Sequence, residues 1–306
     1  GISYPSTIVG EQLAIEMLNK SIHLDSSYAP AYAELGFRRQ RFGVSILDRE
    51  TINQAEQAYL KALSLNKELF TALGYLAMLY TETARTEQAM ELATQMLKIN
   101  PNNAFGYFSL GYVYRYAGML KESEHEFEKA LALEPKNPKL RTVGLTYLYL
   151  GKYKKAMAAC DLDPESNWSI AIRGEIYLRQ NQTEKAMEYF DRFLALEPEG
   201  HGGKVKGRKA FVEGNHQEGL RVTRQWEQQR PCDSEDWYFL ATHYGLFSDK
   251  AGCARALQKA IEGGFFNYPF MLKDPFLDSV RGDPEFQRVL TMAKTKHEAF
   301  QKRFFP

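Results

Sequence analysis

The sequence predicts an all-α protein, a superhelical solenoid of about seven and a half helical hairpins closed by a C-terminal capping helix. Three observations carry this. Small residues recur at Gly36, Ala77, Gly111, Gly144, Gly174, Gly207 and Ala241, at steps of 41, 34, 33, 30, 33 and 34 residues, so one unit of about 34 residues runs along most of the chain. Within each unit the apolar residues fall at three- and four-residue intervals in two blocks, the pattern of two short amphipathic helices joined by a turn. Prolines then follow the second blocks, at Pro101, Pro135, Pro164, Pro198 and Pro231, where a residue without an amide hydrogen stops a helix. A chain of 306 residues that is 44% hydrophobic and 25% charged has ample material for a core, which excludes a disordered or fibrous protein.

Taken in order, the units differ in ways that matter. The chain begins abruptly at Gly1 with half a unit, which reads as a fragment of something longer. Its opening, "GISYPSTIVGEQLAIEML", lacks the basic region of a signal peptide, and no run of eighteen apolar residues follows, so no membrane insertion is expected of this segment. The first step is seven residues too long, with the surplus around "RFGVSILDRET", which predicts a longer turn or extended helices there. The step from Gly144 to Gly174 is four short. Pro164 arrives about one turn early, so that unit's second helix should lose a turn and locally change the superhelix. In "GHGGKVKGRKAFVEGNHQEGL", Gly202, Gly203, Gly207 and Gly214 each cost about 1 kcal/mol relative to alanine if they fall inside a helix; this is expected to be the most mobile unit. After the last hairpin, Asp283 is placed to cap a helix whose first residue is Pro284. Phe286, Val289, Leu290, Met292 and Ala293 follow at helical spacing, as a helix covering the solenoid's last apolar face requires. The chain thus divides into a solenoid over 1–265 and an extension with its capping helix over 266–306, packed on the last repeat.

The residues at these positions resemble the tetratricopeptide repeats. The family pattern of Trp-x2-Leu-Gly-x2-Tyr, then Ala-x3-Phe, then Pro is matched by Tyr107, Leu110, Gly111, Tyr114, Ser123, Phe127 and Pro135. It is matched again by Ile170, Gly174, Tyr177, Ala186, Phe190 and Pro198, and by Trp237, Leu240, Ala241, Tyr244, Cys253, Leu257 and Ala260. The resemblance covers roughly residues 11 to 265. The last sixty residues, with "AIEMLNKSIHLDSSYAPAYAELGF" near the start, also resemble the repeat regions at the C-terminus of bacterial multidomain signalling proteins, such as serine/threonine kinases, nucleotide cyclases and transcriptional regulators.

Catalytic and metal-binding signatures are missing. Cys160, Cys232 and Cys253 have no CxxC spacing; Cys160 and Cys253 stand where the repeat wants a small buried residue, and Cys232 follows Pro231 in a loop. His23, His125, His201, His216, His243 and His297 show no HExxH spacing. "HGGKVKG" lacks both the earlier glycine and the following Ser or Thr of a phosphate loop. Glu122, Glu124, Glu126 and Glu128 spread around an outer helical face beside Lys121 and Lys129 and read as solvated. The basic cluster Lys204, Lys206, Arg208 and Lys209 has no interleaved aromatics, and a net charge of +1 gives no global field, so nucleic acid is not an expected partner. No cofactor and no metal are expected, and the chain is not expected to be an enzyme.

What remains is a wall. In stacked hairpins the first helices line the concave side, where the resemblance implies that peptides bind. The positions there not used for packing are Phe37 and Gln40; Thr71, Gly74 and Met78; Phe105, Phe108, Tyr112 and Arg115; Arg141, Leu145 and Leu148; Trp168 and Glu175. Tyr107 and Tyr114 belong to the packing code, whereas Phe105, Phe108, Tyr112 and Arg115 are surplus to it, unless neighbouring repeats or the chain's own tail cover them. Exposed aromatics and arginines favour partner binding, and Arg115 and Arg141, one repeat apart, are placed to pair with an acidic group on a partner. The two-carboxylate clamp of some family members needs Lys and Asn on successive first helices; Phe37, Gln40, Met78 and Thr81 stand there instead, against that mode. The expected function is therefore a non-catalytic protein- or peptide-binding scaffold, a regulatory or sensory region of a larger bacterial signalling protein, cytoplasmic, or periplasmic on an anchored protein. Two other readings stand beside it: a small-molecule sensor or enzyme-associated domain with a pocket near Arg141 and Trp168, and a homo-oligomer formed through the groove or tail.

Overall fold

The computed structural model describes residues 8–196 and 202–305; Pro198 and His201 lie outside the described residues. A lone helix, α1 (Ile8–Leu24), packs on the first hairpin, α2 (Ala29–Ile46) with α3 (Arg49–Leu65). Then come α4 (Phe70–Glu82) with α5 (Thr86–Ile99), and α6 (Ala104–Ala117) with α7 (Leu120–Leu133). The fourth unit is a 3-10 helix, Pro138–Val143, running into α8 (Gly144–Tyr149) and pairing with α9 (Tyr153–Cys160). Three hairpins follow: α10 (Asn167–Arg179) with α11 (Thr183–Leu196), α12 (Gly203–Val212) with α13 (His216–Gln228), and α14 (Ser234–Leu246) with α15 (Lys250–Glu262). The chain ends in α16 (Tyr268–Met271), a second 3-10 helix, Pro275–Val280, and α17 (Pro284–Phe304). This is the all-α solenoid of seven and a half hairpins with a terminal helix.

The recurring small residue is a seat for the partner helix. A Cβ on Gly111 would lie 2.8 Å from the Phe127 ring, and one on Gly174 2.5 Å from that of Phe190, so both positions exclude any side chain to let two helices close on an aromatic knob. Ser123, in the family's alanine position, donates its hydroxyl to Gly111 O at 2.7 Å, which satisfies a buried polar atom.

The irregular steps have visible outcomes. The seven surplus residues lengthen both helices of the first hairpin, to 18 and 17 residues against 13 and 14 in the next, around a tight turn with Leu47 at φ 57°. In the fourth unit α9 has only eight residues. Its first helix is altered too, because Asn137 caps Pro138–Val143 in the tighter 3-10 form before α8 begins. In the sixth unit Cβ atoms on Gly203 and Gly207 would lie 2.8 Å from Trp226 and 2.3 Å from His243, so these two glycines also admit buried rings. At the C-terminus Asp283 accepts from the amides of Glu285 and Phe286, and Phe286, Val289, Leu290 and Ala293 are buried.

The superhelix closes on itself. Residues at the start of α14 reach α6 and α8, and the stretch after α15 fills the interior with Phe265, Phe266, Phe270, Met271 and Leu277. Phe265 meets the rings of Tyr116, Tyr149 and Tyr238 at 5.3, 6.1 and 5.1 Å. Phe266 N donates to Tyr116 O at 3.0 Å and Asn267 Nδ2 to Arg115 O at 3.0 Å. Helix α17 packs on α15 and touches α6, where His297 Nδ1 donates to Ala117 O at 2.7 Å.

Candidate functional site: a basic, aromatic-floored cleft

The closure divides the fourteen residues expected on the concave wall, of which Gly74 and Leu148 are buried and Thr71 is exposed. Phe108, Tyr112, Arg115, Leu145, Glu175 and Gln40 are buried, which corrects the expectation that a partner meets them. Phe37, Met78, Phe105, Arg141 and Trp168 are half-buried. The division of the aromatics inverts in part: Tyr107, assigned to packing, is half-buried, while Phe108, Tyr112 and Arg115 lie inside. Glu124, read as solvated, is buried enough to gather Lys152 and Lys155 from the next unit.

Two hydrogen-bonded networks fill the closed part. In the first, Tyr59 donates to Gln40 Oε1 (2.8 Å), and Gln40 Nε2 to Glu82 (2.9 Å). Tyr112 donates to Glu82 Oε1 (2.8 Å), its hydroxyl lies 3.1 Å from that of Tyr116, and Tyr116 donates to Asp233 (2.9 Å). Glu235 accepts from Tyr149 (2.7 Å) and from Arg115 Nη2 (3.1 Å). Arg115 is therefore spent inside the protein, with Tyr112 stacked 4.4 Å from its guanidinium carbon. Of the three carboxylates in this network, Glu235 is the one paired with the Arg115 guanidinium. Burial, the largest influence, pushes the Glu82 carboxyl up to about 7 and raises that of Asp233 well above its usual range, with Glu82's charge adding to it. In the second network two cations meet two anions: Arg179 binds Asp274 (2.9 and 3.1 Å) and Glu175 (3.0 Å), and Arg208 binds Glu175 (2.9 Å). Here the arginines overcome burial and hold both carboxyls below their usual values.

One part of the concave wall stays open. A cleft of about 650 Å³ is lined by Phe37, Arg38 and Arg41 of α2, Thr71, Tyr75 and Met78 of α4, Phe105 and Phe108 of α6, and Glu134 with residues 137–142 of the fourth unit. Its floor is a ladder of rings. Phe37 stacks on Tyr75 (4.4 Å, 16°), Tyr75 meets Phe105 edge-on (5.2 Å), and Phe105 lies 6.0 Å from Phe108, all within the range of favourable aromatic pairs. Gly74 makes this possible, since a Cβ there would lie 2.3 Å from the Phe105 ring.

Cations edge the ladder. The guanidinium carbons of Arg38 and Arg41 lie 5.7 and 5.6 Å from the Phe37 centroid, and Lys139 Nζ lies 5.5 Å from it while donating to Tyr75 OH at 2.9 Å. Arg141 donates to Pro138 O (3.0 Å) and lies 3.5 Å from Asp163, but its buried Nε has no partner. Burial lowers the Arg141 pKa from its usual value, and the charge of Arg41 across the cleft adds to this against the pull of Asp163. Phe37, Met78, Phe105 and Arg141 of the expected wall thus come together; Trp168 does not line this cleft, lying 6.0 Å from Arg141 behind it. Sequence reasoning missed Arg38, Arg41, Tyr75 and Lys139. Arg41 stands four residues after Phe37 on one helix face, a visible signal, whereas Lys139 enters through the 3-10 turn, which no helical frame marks.

Among the described residues no cluster of three His, Cys, Asp or Glu is placed to hold a metal, and no helix is long and apolar enough to cross a membrane.

Two stretches, residues 104–137 and 170–199, match the family model for the tetratricopeptide repeat. Among curated proteins the chain is 22% identical over 182 residues to anaphase-promoting complex subunit 3 of Schizosaccharomyces pombe, covering 58% of this chain and 26% of that protein. It is 26% identical over 152 residues to the type IV pilus assembly protein PilF of Pseudomonas aeruginosa, covering 47% of this chain and 60% of that one. The fold resembles that in the crystal structure of the APC/C hetero-tetramer Cut9-Hcn1, with a TM-score of 0.61 at 12% identity over 97% of this chain and 57% of that one. It also resembles a tetratricopeptide repeat protein from Parabacteroides merdae, with a TM-score of 0.50 at 13% identity, covering 86% and 98%. The chain spans about a quarter of the anaphase-promoting complex subunit it matches.

Proposed function

Since the chain is a tetratricopeptide-repeat solenoid, we propose that it is a non-catalytic scaffold that binds a protein or peptide segment in the cleft over its first four hairpins. One observation carries the reading. The concave wall is filled by the chain's own residues over most of its course, yet between α2 and the fourth unit an open cleft presents the half-buried rings of Phe37 and Phe105, backed by the buried rings of Tyr75 and Phe108. Accessible aromatics in a preformed concavity bury much area at small entropic cost. Two relatives are named for multiprotein assemblies, the anaphase-promoting complex and the type IV pilus, which supports a role in holding proteins together. The reading extends to a regulatory or sensory region of a larger cytoplasmic bacterial signalling protein, supported by the resemblance of the first and last units to such regions.

The test is selection of a randomised phage-displayed peptide library on the intact chain, followed by binding of the selected peptides to Phe37→Ala and Met78→Glu variants. Peptides of the cleft lose affinity by about tenfold or more in both variants; selected peptides that bind both unchanged would remove the cleft as the site. A volume of about 650 Å³ also suits a small ligand, and a rise in melting temperature with a metabolite, absent in Phe37→Ala, would favour the sensor reading.

A further inference from the structure

We infer that the segment held in the cleft is acidic and aromatic, with a carboxylate side chain lodged between Arg41 and Arg141 and apolar side chains on the ring ladder. The inference rests on the cleft being a peptide site and concerns the chemistry of its occupant.

Charge complementarity is the first reason. Four cations line the cleft, Arg38, Arg41, Lys139 and Arg141, against one carboxylate, Glu134. The acids that partner these cations lie outside the lining: Glu34 binds Arg38 at 2.7 Å, Glu11, which is buried, lies 3.4 and 3.0 Å from Arg38 and Arg41, and Asp163 lies 3.5 Å from Arg141. None of these lines the cleft. Each arginine is thus paired with acids that lie outside the cleft lining. Lys139 has the Tyr75 hydroxyl as partner and no ion pair among the described residues.

The second reason is what remains unsatisfied. Arg141 keeps a buried Nε without an acceptor and faces the like charge of Arg41. A neutral or cationic occupant leaves that like charge uncompensated, whereas a carboxylate between the two guanidinium groups offsets it and forms charge-assisted hydrogen bonds with them.

The third is shape. From Phe37 through Tyr75 to Phe105 the ladder advances in steps of 4.4 and 5.2 Å, a path that about three residues of extended chain cover at roughly 3.3 Å each. In such a chain alternate side chains face the rings and the others reach the rim. These cations come from α2 and from the 3-10 helix of the fourth unit, so the device depends on the irregularity of that unit.

The library selection described above decides it. Selected peptides are expected to carry Asp or Glu next to Phe, Tyr, Trp or Leu, to bind more weakly as salt rises, and to lose about tenfold or more in affinity to an Arg41→Gln/Arg141→Gln double variant whose melting temperature and circular dichroism show it folded. An Arg141→Glu variant is expected to select basic residues in place of acidic ones. Peptides that lose binding in Phe37→Ala but are neutral or basic, and indifferent to the double glutamine variant, would overturn the acidic occupant and leave the cleft standing. Peptides indifferent to Phe37→Ala, or no enriched sequence at all, would overturn both.

Discussion

Glu82 shows how a single buried carboxyl is set by the company it keeps. It accepts from two neutral donors, Tyr112 and Gln40, while the Arg115 guanidinium of the same network is paired with Glu235; its carboxyl rises from 4.5 to about 7. The folded protein therefore binds a proton that the unfolded chain releases between about pH 4.5 and 7, so the stability this group contributes is full below that window and falls as pH rises through it. Such a rise corresponds to about 3 kcal/mol at most. His243 works in the opposite sense, because burial holds its pKa well below 6.5 and protonation on acidification must oppose folding. A comparison that isolates Glu82 is thus the difference between wild type and Glu82→Gln in urea unfolding at pH 5 and pH 8. The variant is expected to gain on wild type by about 1–3 kcal/mol between the two; a difference that does not change with pH would refute the raised carboxyl. Arg179 is the contrasting case, since its removal leaves Asp274 and Glu175 with Arg208 alone. Arg179→Met is expected to cost about 3–5 kcal/mol, and Asp274→Asn added to it to recover part of that loss, both read from urea midpoints at pH 7.

At the level of the helix, the clearest test is the sixth unit. Gly207 lies inside α12, where alanine gains about 1 kcal/mol of helix propensity, yet a Cβ there would lie 2.3 Å from the buried His243 ring. Gly207→Ala is expected to destabilise by 1 kcal/mol or more, and a melting temperature that rises instead would show that the contact is slack. The capping helix offers a graded pair: Phe286→Ala, fully buried, about 3–5 kcal/mol; Asp283→Ala, a cap, about 1 kcal/mol. What was legible in the sequence lived on this scale. The 34-residue period, the lengthened first hairpin, the clipped α9 and the Asp283 cap follow from spacings that any helix must obey. What Gly203 and Gly207 make room for was not legible, because propensity is local whereas Trp226 and His243 belong to other helices. The 3-10 form of Pro138–Val143, which brings Lys139 and Arg141 to the cleft, was hidden because proline at a first helical position permits either helix type.

For the molecule as a whole, the period describes contacts between neighbouring units, and a solenoid with only such contacts folds and frays one repeat at a time. Here Arg115 binds Glu235 across 120 residues, and Asn267 binds Arg115 O across 152. These contacts depend on the pitch summed over several units, one of them shortened, which no repeat frame contains; that is why the centre of the expected groove proved to be interior. Closure should make α6 and α8 one cooperative body with α14 and the C-terminal stretch. Phe265 is the place to test this, since it is fully buried and touches Tyr116 of α6, Tyr149 of α8 and Tyr238 of α14. Phe265→Ala removes a ring that an open solenoid would use only near its C-terminal end. In native-state hydrogen exchange the variant is expected to lose protection in α6 and α8 together with α14, by a common decrement of about 2–4 kcal/mol, while α11, which Phe265 does not touch, loses less. Loss confined to α14–α17 would mean that the chain behaves as a row of neighbours, and that the tail lies in the superhelix without joining α6 and α8 to α14.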